Sequence, residues 1–163
     1  MTNLIRALSA TFGIAMLLIA TGCTSTPDPT PAAVTIQAAA AINPNEEGTP
    51  SPVVVRIYEL KGVKAFNNAD FFDFDDETAT LGADLLASRE YEMTPGSTKE
   101  YESDISSEAT HLGVVVGFRE IDKAQWRTSF QLEQGDDVKL LINLTGISVT
   151  IQELKRSVMG LSF

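Results

Sequence analysis

The side chains able to do chemistry are few. The chain holds one cysteine, Cys23, and one histidine, His111. A thiolate nucleophile needs a base beside it, and a zinc site needs a set of thiolate, imidazole or carboxylate ligands. A single thiol makes no internal disulfide. Cys23 also stands directly behind an apolar run, in LLIATGCTSTPDPTP, where a processing signal claims it before catalysis can. His111 opens an alternating apolar segment on the outward parity, a rim position rather than that of a base or ligand. The acidic run offers calcium chemistry: with Asp73 as position 1, Asp75 and Glu77 fall at 3 and 5 and Asp84 at 12. Position 6 of such a loop needs Gly, and Thr78 is there; Phe72 and Phe74 fit a helix better than a metal loop. No G-x-S-x-G, phosphate-binding glycine loop or H-E-x-x-H occurs. These residue types point to no catalytic centre, no metal and no cofactor.

What surrounds Cys23 gives it a different role. Residues 7–20, ALSATFGIAMLLIA, are all apolar or small, and Arg6 precedes them. At 1.5 Å per residue a helix of this length reaches about 21 Å, short of the roughly 30 Å hydrocarbon core, so it reads as a secretory signal and not a membrane span. The sequence Ala20-Thr21-Gly22-Cys23 resembles the lipobox of bacterial lipoproteins, with Ala20 where that pattern prefers Leu. The resemblance implies cleavage after residue 22 and a diacylglyceride on Cys23. Thr24, rather than Asp, follows the cysteine, which in such proteins implies outer-membrane lipid and a periplasm-facing chain.

The elements behind the anchor follow from composition. A net charge of −10 repels nucleic acid and anionic headgroups. Residues 23–33 form the lipidated cysteine and a Pro-rich tether, since proline fixes φ and removes donors. Period-two alternation dominates from Val34 to Gln152. Val34, Ile36, Ala38, Ala40 and Ile42 share one face of a first strand, and PVVVRIYEL (52–60) reads as a buried second. ASREYEMTPG and STKEYESDI form a hairpin or arch at Pro95-Gly96. Leu112, Val114, Val116 and Phe118 point inward, as do Trp126, Phe130 and Leu132; Val138, Leu140, Ile142 and Leu144 follow, then Ile147, Val149 and Ile151. Gly135-Asp136 and Thr145-Gly146 are hairpin turn signals. About eight strands with short turns predict an all-β fold, an antiparallel β-sandwich.

Residues 66–86 interrupt the alternation and predict a helical insert on one side of the sandwich. Asn67 or Asn68 caps a first helix with Phe71 and Phe74 on its buried face, and Leu81 and Leu85 belong to a second. Gly113 and Gly117 lie on the face opposite Leu112–Phe118 and admit close approach of another element. Trp126 packs in the core, and Arg119 and Arg127 form sheet-surface ion pairs with nearby Glu. The tail 153–163 carries Lys155 and Arg156, its basic patch, and shows no clear motif.

Asn43, Pro44, Asn45, Glu46, Glu47, Gly48, Thr49, Pro50 and Ser51, with Pro52, connect the first two strands through a segment longer than a hairpin needs. Three prolines stiffen it, which lowers the entropy lost when it meets a partner. From composition alone, a solvated linking loop explains it as well as a binding site does.

The blocks SPVVVRIYELKGVKAFNNADFFDF, TLGADLL, MTPGSTKEYE and HLGVVVGFREIDKAQWR, in this order behind the lipobox, resemble the outer-membrane lipoprotein of type VI secretion systems, the TssJ family. The resemblance implies a transthyretin-like β-sandwich with a helical addition and no catalysis. It implies binding to the periplasmic C-terminal region of the inner-membrane protein TssM, tethering the membrane complex to the outer membrane. The loop equivalent to 43–52 makes that contact in the family. A second reading is a periplasmic ligand- or carbohydrate-binding lipoprotein, which requires an aromatic-lined concave site from an exposed Phe71, Phe72 or Phe74.

Overall fold

Two four-stranded sheets pack face to face in the computed structural model, which describes residues 28–133 and 137–154. The signal segment, Cys23, Gly135-Asp136, Lys155 and Arg156 lie outside the described residues. The strands are β1 (Thr30–Ala38), β2 (Val53–Leu60), β3 (Leu85–Met93), β4 (Thr98–Ile105), β5 (His111–Val116), β6 (Arg127–Gln131), β7 (Val138–Thr145) and β8 (Ser148–Glu153). One sheet runs β4-β1-β7-β8 and the other β3-β2-β5-β6. Every ladder is antiparallel except β1 with β7, which is parallel from Ala32↔Val138 to Ala38↔Leu144. Alternation specifies which face of a strand is buried but not the direction of its neighbour, so this pair was not legible in the sequence.

The alternating residues meet between the sheets. Val34, Ile36, Val55, Ile57, Val114, Val116, Leu140, Ile142, Leu144 and Val149 are buried in one cluster, as the period-two pattern requires. β7 and β8 form a hairpin through Thr145↔Ser148, with Gly146 at φ +57° in the first turn position, where a type II′ turn needs glycine. The segments around Pro95-Gly96 make an arch, since β3 and β4 belong to different sheets. β6 and β7 likewise belong to different sheets. β1 begins at Thr30, so the expected tether gives up its last four residues to the sheet. Pro31 is tolerated there because the β7 ladder starts only at Ala32, leaving no bond for its missing N–H to make. At its other end β1 stops at Ala38; Ala40 is exposed, while Ile42 is buried beyond the strand.

The insert occupies residues 64–84 and forms a second core on the outer face of β2 and β5. It comprises α1 (Lys64–Asn68), a 3-10 helix (Phe71–Asp76), α2 (Glu77–Leu81) and a 3-10 turn (Gly82–Asp84). Neither Asn67 nor Asn68 acts as a cap, because both lie inside α1. At the start of the Phe71 helix Asp70 N donates to the Asp73 carboxylate (2.8 Å) and Asp73 N to Asp70 O (3.1 Å), and Asp76 accepts from Ala79 N at the start of α2. Leu85 opens β3 instead of continuing a helix. Phe66, Phe74 and Tyr58 pack with centroid separations of 5.4 to 6.1 Å over Val115 and Leu60. Gly113 makes this docking feasible: a Cβ there would lie 2.7 Å from the Phe66 ring. Trp126 is partly buried between the two cores, edge-on to Phe71 and Phe74. Among the described residues Arg127 makes no surface ion pair; it donates to Phe66 O (3.1 Å) and Ala69 O (2.6 Å), tying the C-terminal end of α1 to β6.

A buried carboxylate closes the opposite flank. Glu59 is 3% exposed and accepts from Arg89 (2.7 Å) and from Ser106 N (3.0 Å), while Arg89 also donates to Ser103. The Glu59 hydrogen bond holds the Arg89 guanidinium above its usual pKa. Beside it Tyr91 stacks on Tyr101 at 5.1 Å across the mouth between β3 and β4. Inward-pointing charge on paired edge strands blunts edge-to-edge association.

Candidate functional site

Because β1 and β2 lie in different sheets, the segment from Ala39 to Pro52 must cross one end of the sandwich. Crossing about 10 Å between sheets takes only a few residues, so the rest of the segment is available to project. Local chemistry shapes it. Gly48 N donates to Asn45 O (2.9 Å) and Asn45 N to Thr49 O (2.9 Å), closing a small hairpin whose turn residues are Glu46, Glu47 and Gly48. Gly48 takes φ +79°, the left-handed position of a three-residue turn. The Asn45 carboxamide oxygen accepts from Glu47 N (3.1 Å) and Thr49 N (2.8 Å), fixing the tip from within.

Asn43 anchors the base. It is 4% exposed and takes φ +46°, a left-handed conformation that asparagine tolerates better than most residues. Its amide donates to Pro52 O (2.9 Å), its carbonyl accepts from Arg119 N (2.8 Å), and its own N–H donates to Gly146 O (2.7 Å). One buried residue thus ties the loop to the segment after β5 through its side chain, and to the β7–β8 turn through its backbone N–H. Of the nine expected contact residues, Asn43 is the frame and Pro44, Asn45 and Ser51 are half-buried, while Glu46, Glu47, Gly48, Thr49 and Pro50 are exposed.

The same end gathers two further segments. Residues 94–97 join the loop through Ala38 N to Ser97 O and Gly96 N to Ala39 O. Residues 117–126 join the loop through Arg119 and the β7–β8 hairpin through Gln125, which bonds both Ile147 and Val149 backbones. Sequence reading did not place these segments beside the loop. The one signal was that β1, β3, β5 and β7 must all end on the side where β2, β4, β6 and β8 begin. The exposed chemistry there is polar: Glu46 and Glu47 at the tip, and Lys123 paired with Glu120 at 2.8 Å, which raises the Lys123 pKa.

His111 sits on the outward side of β5, with Nδ1 2.8 Å from the Thr110 hydroxyl. That hydroxyl donates to Lys61 O (2.7 Å), so its lone pair is left to accept from the imidazole N–H. Among the described residues no group of three or more His, Cys, Asp or Glu side chains is arranged to hold a metal ion. No described helix is long and apolar enough to cross a membrane. Of the three phenylalanines the second reading needs, Phe74 is buried, Phe71 partly buried and Phe72 exposed, and the cleft beside Phe71 measures about 40 Å³. Two open hollows of about 520 Å³ each run along the outer face of β1 between Glu102 and Lys139.

The family model for the type VI secretion lipoproteins (VasD, EvfM, TssJ) matches residues 30–147. The crystal structure of the lipoprotein TssJ1 from Pseudomonas aeruginosa is similar at TM-score 0.76 and 31% identity, over 78% of this chain and 98% of that one. Serratia marcescens Lip, a membrane-bound component of the type VI secretion system, shares the fold at TM-score 0.70 and 24% identity, over 78% and 99%. A chain in a structure described as the TssM C-terminal domain (869-1107) from EAEC matches at TM-score 0.64 and 28% identity, over 76% and 98%. No curated protein matches. A sandwich of two four-stranded sheets with this insert, matched across both, places the chain in the type VI secretion lipoprotein family.

Proposed function

We propose that the protein is a non-catalytic assembly lipoprotein, anchored through acylated Cys23 in the outer membrane, that holds the periplasmic C-terminal region of TssM through residues 44–51. The observation carrying this reading is the placement of the two ends of β1. Its nine residues separate Thr30, where the tether arrives, from Ala38, where the loop begins. At about 3.3 Å per residue this is roughly 30 Å, so lipid and loop face opposite ways. A membrane on one side and a partner on the other is the geometry of a tether. Six residues, 24–29, separate Cys23 from β1. In extended form they hold the domain up to about 20 Å from the lipid. The match to a chain in a structure described by the TssM C-terminal domain supports the choice of partner. A single acyl chain binds a membrane only marginally, so the two-chain diacylglyceride matters for permanence.

The test is chemical and spatial together. Mass spectrometry of the mature chain should find Cys23 as its first residue carrying diacylglyceride, and density fractionation should place it with the outer membrane. An unmodified cysteine, or a chain in the inner-membrane fractions, contradicts the anchor. A Cys23→Ser chain should incorporate no labelled palmitate.

A further inference from the structure

Phe72 is the most exposed large apolar side chain among the described residues, at 70%, and Val54 on β2 is also open, at 37%. The two are linked by Phe71, whose ring lies 5.4 Å from that of Phe72 and lines the small cleft with Val54 and Gly117. Phe71 in turn stands edge-on to Trp126 at 5.4 Å, so Phe72 rests on an aromatic platform and not on loose chain. Between Asp70 and Glu77 the sequence carries five acidic residues and no basic one. Of the arginines nearby, Arg56 pairs with Glu90 and donates to Phe74 O, and Arg127 is turned inward to two carbonyls and the Trp126 face. The surface is therefore an apolar knob rimmed by negative charge.

We infer that the Phe72–Val54 surface is a docking site for a basic segment of a protein partner, one that presents an aliphatic or aromatic side chain flanked by lysine or arginine. Charge decides among occupants. A second copy of this chain would bring the same acidic rim, and anionic lipid the same sign of charge, whereas a cationic segment neutralises it. Position decides which partner. Val54 lies two residues beyond Pro52, and its carbonyl accepts from Gly117 N (2.9 Å), so this surface continues from the loop end down the flank of β2. The occupant is thus a second segment of the partner held by residues 44–51, and the inference rests on that reading.

The experiment measures binding of the periplasmic C-terminal region of the cognate TssM to the full chain in detergent, at two salt concentrations. Phe72→Ser should weaken binding by about tenfold or more, and Phe72→Leu should restore it to within about threefold. Asp75→Lys should weaken it several-fold and flatten its salt dependence. Both sites are exposed, so melting temperatures should hold. Binding by Phe72→Ser within twofold of the unaltered chain, while a shortened loop abolishes it, overturns this inference and leaves the proposed function standing. No binding by the unaltered chain overturns the partner assignment and this inference with it.

Discussion

The two long connections flanking β2 are built by opposite means. Residues 39–52, before it, hold their shape with hydrogen bonds from two asparagines and bury one large apolar side chain, Ile42. Residues 61–84, after it, bury Phe66, Phe74 and Leu81 in a core of their own. A polar frame leaves its side chains facing water and fixes a conformation with few contacts. An aromatic frame gains several kcal/mol of burial and commits its surface to packing, with only Phe72 left outside. The first is suited to presenting a tip, the second to stiffening the sheet that carries it.

The largest break in that contrast is Phe66→Ala. The ring is fully buried against Gly113, so the variant should lose about 3–5 kcal/mol in urea unfolding and expose Tyr58 and Leu60 amides to hydrogen exchange. A loss under 1 kcal/mol would mean the insert merely rests on β2. Asn43→Ala comes next. It orphans Arg119 N and Pro52 O and places alanine at φ +46°, which should cost about 2–3 kcal/mol. Its distinguishing sign is faster exchange at Arg119 with the Phe66 core unaffected. The smallest effect belongs to Tyr58→Phe. The hydroxyl is buried with no partner at bonding distance, and burial together with nearby Glu77 raises its pKa. Removing it should be neutral or stabilise by up to about 1 kcal/mol, and a clear loss would reveal a bond to Arg56 or Glu77.

How legible each region was in the sequence follows from the same physics. Burial alternates with strand pleat, so the inner faces of β5, β7 and β8 could be read directly from Leu112–Val116, Val138–Leu144 and Val149. The i, i+3 spacing assigned Phe71 and Phe74 to the buried side, where Phe74 is fully and Phe71 partly buried, but it said nothing of Phe72, which is exposed. What alternation cannot carry is partnership between distant segments. The parallel β1–β7 pair, the crossing of β1 to β2, and the bond from Asn43 to a backbone 76 residues away all depend on tertiary placement. Asn43 accordingly read as one more exposed loop residue, when it is the buried one holding the others in place. Arg127 misled for a related reason: its partners are carbonyls freed at the end of α1, invisible to a search for acidic neighbours.

The central claim is that the polar connection is the principal grip on the partner, with the Phe72–Val54 surface secondary to it. Titrating the periplasmic C-terminal region of the cognate TssM into the full chain in detergent by calorimetry tests it most directly, with residues 44–51 intact or replaced by Gly-Ser repeats of the same length. Asn43 and Pro52 stay in both chains, so the base of the loop keeps its bonds. The account predicts heat of binding for the intact chain and at least about a hundredfold weaker association for the replaced one, with unchanged melting. Equal affinity for both would contradict it and move the partner site to another surface.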